Sequence, residues 1–274
     1  MNDLLNNPAV QAGAVPFVIA GVLAAFLCRS RLLALAIGVG FLTTVVLAVG
    51  LSFETLTASR KMLLVGLAVT LLALPLELAP VLPTRRVRVL LAAAASLAGV
   101  WVGWRVLQQQ PMLTALGMGA ALAAYMAAMV ESTRAAHDDA VRACATALML
   151  GLGAGALALL GASAVLGQVG IAIGAAAGAT LLVQMVTGRG APIGWTLALP
   201  ASAVASLVAL LSVLTGELRW YCVLPLLAVP WATRLVPVVP RPVWMRAILT
   251  SLAAFVPVAV ALALAWRSAT SSVA

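Results

Sequence analysis

The sequence predicts an all-α integral membrane protein of about ten transmembrane helices joined in short-looped hairpins. Three observations carry that prediction. Hydrophobic residues make up 64% of the 274-residue chain and charged residues only 8%. The apolar runs are continuous over about twenty residues, the length a helix needs to cross about 30 Å of hydrocarbon. The charges sit singly or in twos and threes between those runs, where membrane-flanking anchors sit.

Composition excludes most alternatives. A soluble domain carries about 25% charged residues and needs a polar exterior that this chain cannot supply. Without water, backbone groups must be satisfied within a helix or in a closed barrel. Barrel strands alternate apolar and polar residues over about ten positions, and no such alternation is present. The net charge of +9 is dispersed between apolar runs and forms no basic face, so nucleic acid is not an expected partner. The expected partners are the bilayer itself and either a second copy of the chain or another membrane subunit. Heavy Ala and Arg usage points to a bacterial source and hence a cytoplasmic (inner) membrane.

Taken in order, the spans are residues 9–28, 32–52, 62–82, 89–107, 112–130, 143–166, 169–187, 193–215, 221–236 and 247–266. Residues 1–8 hold Asp3 and no Lys or Arg. They lack the positive region of a signal peptide, so the first span is expected to be retained. Basic residues in alternate loops orient the chain. Arg29, Arg31, Arg85, Arg86, Arg88, Arg134, Arg142, Arg189, Arg234, Arg241 and Arg246 fall on one side. Arg60, Lys61, Arg105, Arg219 and Arg267 fall on the other. The richer set belongs in the cytoplasm, which places both termini outside it. Trp104, Trp220, Trp231, Trp244 and Trp266 fall near the expected interfaces, where amphipathic rings are favoured.

The whole chain, 1–274, reads as a single polytopic domain with an internal repeat. Residues 71–83 (LLALPLELAPVLP) resemble 226–240 (LLAVPWATRLVPVVP), and each precedes a basic loop and a new apolar run. Spans one to four (9–107) then repeat as seven to ten (169–266) around a central hairpin (112–166). This would be a parallel repeat, related by an axis along the membrane normal. Chance similarity between Leu/Ala/Val/Pro-rich segments is the competing explanation.

Three groups of residues are candidates for function. Glu77 lies between Pro75 and Pro80, and the matching ninth span holds Pro225, Pro230 and Arg234. Paired Pro-interrupted segments in corresponding halves point to a transporter binding site, so Glu77 and Arg234 are expected to meet and gate a cytoplasm-facing cavity. The alternative is that Glu77, near its helix end, snorkels to the headgroups. Residues 131–142 (ESTRAAHDDAVR) hold the only histidine, His137, and the densest acids. Their spacing matches no metal signature. Asp138/Arg142 and Glu131/Arg134 instead have the spacing of ion pairs on a solvated helix. Gly170, Gly174 and Gly178 recur every four residues, as do Gly151 and Gly155. Such spacing lets backbones meet closely, either between spans six and seven or at an interface with another chain.

No catalytic residue, metal site or cofactor is expected. Protease, hydrolase and P-loop motifs are absent, and one histidine cannot supply bis-His haem ligation. Cys28, Cys144 and Cys222 have no paired spacing. The function expected is therefore a small permease-like transporter of an unidentified solute. A non-catalytic subunit or scaffold of a larger membrane complex is the alternative, and a membrane-embedded enzyme a third reading with no motif behind it.

Overall fold

The computed structural model describes residues 7–30, 32–33, 35–49, 57–78, 84–134, 136, 139–161, 163–188, 195–215, 218–237 and 242–270. A π-helical turn, Val10–Ala14, leads into α1 (Val15–Leu27). Then follow α2 (Leu35–Val49), α3 (Ala58–Leu78), α4 (Thr84–Gln108), α5 (Met112–Arg134), α6 (Ala140–Leu160), α7 (Ala164–Thr187) and α8 (Trp195–Leu214). After two 3-10 turns, Trp220–Cys222 and Leu224–Ala228, come α9 (Val229–Arg234) and α10 (Val243–Thr270). No strand occurs among the described residues.

Among the described residues, seven helical stretches are long and apolar enough to cross a membrane: Val10–Leu27, Ala58–Leu76, Arg85–Gln108, Met112–Thr133, Ala140–Leu160, Ala164–Thr187 and Val243–Thr270. The protein is an α-helical membrane protein. The described lengths carry seven crossings rather than ten. Two of the other expected spans hold shorter apolar helices, Leu35–Leu47 and Leu199–Leu214.

The span expected over 221–236 is not a continuous helix. Its prolines explain why. Pro230 has no N–H to give the Leu226 carbonyl, which takes the Val229 N–H one residue earlier instead. That substitution is the 3-10 pattern. Pro225 removes a second donor. The segments aligned by the repeat therefore differ in form: α3 runs as a helix through Pro75, whereas its counterpart is broken. The remainder of 71–83, residues 79–83, lies outside the described residues.

At the other end of the chain, a proline follows a π turn. Pro16 falls where the Gln11 carbonyl would seek its i+5 donor. Thr44 Oγ1, fully buried on α2, donates to that carbonyl at 3.0 Å. A neighbouring hydroxyl thus satisfies a group that lipid could not.

The core is built around α8. It packs against α2, α3, α4, α5, α6 and α7, and its side chains from Leu199 to Ser212 are all buried. A helix apolar on every face belongs in such a position. Its serines do not break the pattern, because Ser206 and Ser212 hydroxyls donate to carbonyls of the same helix.

Candidate functional site

A cleft of about 930 Å³ opens between α5, α8 and residues 218–227. Its floor is one face of α5. Gly117, Ala121, Ala124 and Ala128 follow at steps of four, three and four, which stacks them along one helix face. Their small side chains leave a trough. Leu210, Val213 and Leu214 of α8 form one wall, and Leu224 and Leu227 of the 3-10 segment form the other. The broken backbone is pinned to the floor by Tyr125, whose hydroxyl donates to the Val223 carbonyl at 3.1 Å. Arg219, Trp220 and Tyr221 line one end. Arg219 is exposed, Trp220 is 66% exposed, and the two rings meet edge to face at 6.1 Å. The cleft is a lateral, apolar groove with one charged, aromatic-lipped end.

Two other spaces are wholly apolar. One of about 650 Å³ lies between the broken segment and α10, against Pro225, Trp231 and Pro257. A smaller one, about 170 Å³, lies between α3, α4, α5 and α8.

The expected site residues fare differently. Glu77 lies in α3, but its side chain falls outside the described residues. Arg234 ends α9, is exposed, and has its guanidinium carbon 4.9 Å from the centre of the Trp231 ring, a cation–π distance. α3 packs on α8, α2 and α4, whereas α9 packs on α10, α6 and α5. Thus the described contacts of the two helices are with different neighbours.

The five glycines, by contrast, line a seam between α6 and α7. A methyl group at Gly151 would sit 2.5 Å from the Gly174 nitrogen, and one at Gly170 2.5 Å from the Gly155 Cα. At Gly155 it would reach the Ile171 nitrogen at 2.7 Å, and at Gly174 the Leu152 Cγ at 2.7 Å. Gly178 is looser, with Leu148 Cδ1 at 3.3 Å. At Gly151, Gly155 and Gly170 the contact is with backbone.

Residues 131–142 form a clasp as far as they are described. Asp139 caps α6, accepting from the Val141 N–H at 3.0 Å, and pairs with Arg246 of α10. Arg142 donates to the Val236 carbonyl. Arg134, His137 and Asp138 have side chains outside the described residues. No cluster of potential metal ligands occurs among those that are described.

One contact is not visible in the sequence. Lys61, the only lysine, was expected in a loop. It is buried in α3 instead, where its ammonium donates to the Trp101 carbonyl at 3.1 Å and lies 5.1 Å from that ring's centre. Gln184 is buried, gives its amide to Cys144 Sγ at 3.1 Å, and leaves its oxygen without a partner. The spacing of Gly117, Ala121, Ala124 and Ala128 is a local signal that goes unused in the sequence analysis, whereas nothing local announces the Lys61 contact. No protein-family model, curated protein or solved structure matches this chain.

Proposed function

We propose that the protein is a small permease-like transporter of a bacterial cytoplasmic membrane, whose solute enters the cleft between α5, α8 and residues 218–227. The observation that carries this reading is the broken backbone beside the cleft. Irregular backbone at membrane depth is tolerated where it is buried in protein or lines a cavity, and Pro-interrupted segments mark transporter sites. The apolar lining selects an apolar or amphipathic solute over an ion. In this reading all ten expected spans cross the membrane, both termini lie outside, and halves 9–107 and 169–266 form the repeat around 112–166. Glu77 and Arg234 are the proposed gating pair, supported by their nearby places in the two aligned Pro-containing segments. Transport by Glu77→Gln, Arg234→Gln and the double variant tests the pair, since strict additivity of small effects removes it.

The cleft reading is tested by labelling. A cysteine at Ala128, the inner end of the floor, should react with a membrane-impermeant maleimide from one face of sealed vesicles. Thr215→Cys, at the exposed end of α8, is the positive control. Failure of Ala128→Cys from both faces, with the control labelled, defeats the permease reading.

One observation favours a scaffold instead. The α5 face of Gly117, Ala121, Ala124 and Ala128 is exposed, and small-residue faces associate helices. A scaffold would co-purify with a stoichiometric partner, and Ala128→Leu would dissociate it.

A further inference from the structure

We infer that the cleft holds one anionic phospholipid, with its phosphate at Arg219 and an acyl chain along the α5 floor. This deepens the proposed function by naming the class of molecule the cleft takes, and it rests on the cleft being that function's site.

The first argument is depth. From Gly117 to Ala128 the floor rises about 16 Å at 1.5 Å per residue, which is about half of a 30 Å hydrocarbon layer. The groove therefore spans one leaflet, the reach of an acyl chain. The second argument is charge. Among the described residues the Arg219 side chain has no ion pair or hydrogen-bond partner, and it stands on the cleft wall. Every other described side chain lining the cleft is uncharged. An unpaired guanidinium at the end of an apolar groove complements an anion attached to a hydrocarbon tail, and its planar fork suits phosphate oxygens. The third is level. Trp220 and Tyr221 beside Arg219 form the amphipathic lip found at headgroup depth. The groove is also held open: the Tyr125 hydroxyl fixes the 3-10 wall, so a chain can enter without first separating helices. A volume of about 930 Å³ lies within the range of small-ligand sites, about 300–1,000 Å³, and is too narrow for a partner helix about 10 Å across along this length.

The test is native mass spectrometry of the full chain, purified in mild detergent and exposed to equal amounts of phosphatidylglycerol and phosphatidylcholine with matched chains. The native chain should retain one phosphatidylglycerol in preference to phosphatidylcholine. Arg219→Gln should weaken that preference about fivefold, the worth of one basic side chain facing anionic lipid. Ala121→Phe should lose both lipids, because the ring fills the trough. Ala128→Leu, a smaller intrusion, serves if Ala121→Phe does not purify as a single species. Equal retention of the two lipids by the native chain overturns the inference. So does an unchanged preference in Arg219→Gln, full retention in a filled variant, or a second polypeptide in place of lipid. Lipid retention with no labelling of Ala128→Cys leaves the site standing and removes the permease reading. Labelling without lipid preference does the reverse.

Discussion

The α6–α7 seam and the α5 cleft use the same residue types at nearly the same spacing, and they end in opposite states. Along the seam, Gly151 and Gly155 meet Gly170 and Gly174, so each smooth face finds an equally smooth partner and the helices close to backbone contact. Along α5, Gly117 has nothing within 4 Å of where its side chain would be. The element opposite is a broken segment bearing Leu224 and Leu227, and it cannot descend into the trough. Small residues therefore create the possibility of close approach. Whether the space closes is decided by the continuity and smoothness of whatever faces it.

The contrast breaks hardest at the seam. Gly170→Val would place branched carbons where the Gly155 backbone now lies, 2.5 Å from the new Cβ. Backbone cannot yield as a flexible side chain can, so overpacking should reach the upper end of its usual cost, about 3 kcal/mol or more. Thermal unfolding in detergent would register this as a large fall in midpoint or loss of monodisperse protein. Gly178→Ala, facing only the far end of Leu148, should be tolerated. Equal damage from both would mean that the seam is not a backbone contact.

The seam side is also clasped at its polar end, and a second variant measures that clasp. Asp139→Ala removes both the α6 cap and the pair with Arg246. A lost cap costs about 1 kcal/mol and a partly exposed pair up to about 1 kcal/mol, so the sum should approach 2 kcal/mol. Asp139→Asn keeps the cap and should show less than half of that. On the cleft side, Tyr125 holds Val223. Tyr125→Phe should cost about 1 kcal/mol and let the 3-10 wall loosen, which hydrogen exchange of the amides of residues 222–228 would reveal.

These variants also mark where the sequence was readable. The seven long helices were legible because twenty-residue apolar runs have one physical solution in lipid. The seam was legible because four-residue glycine spacing is a property of one helix. Partners distant in the chain were not. Asp139 and Arg246 are separated by 107 residues, and Tyr125 and Val223 by 98. No local spacing announces such contacts. The spacing within residues 131–142 therefore shows only a solvated helix. The prolines at 225 and 230 were visible, and so was the shortness of the segment. Its conversion to 3-10 turns depends on which carbonyls find substitute donors, and one of those donors is a tyrosine on another helix. Charge alone places Lys61 in a loop. Its burial reflects a carbonyl and a ring on α4 that can hold an ammonium.

The smallest expected effect has the opposite sign and tests the open side of the comparison directly. Gly117 sits in a continuous helix with no positive φ and no neighbour to obstruct a methyl group. Glycine there only adds freedom to the unfolded chain. Gly117→Ala should therefore stabilise the fold by about 0.5 kcal/mol, seen as a small rise in thermal midpoint. The same substitution at Gly151 should destabilise, because its methyl group meets the Gly174 nitrogen at 2.5 Å. Two identical changes in glycines on neighbouring helices should thus move the midpoint in opposite directions. If Gly117→Ala destabilises instead, something of the protein or a tightly bound partner already occupies the trough, and the cleft is a closed interface rather than an open groove.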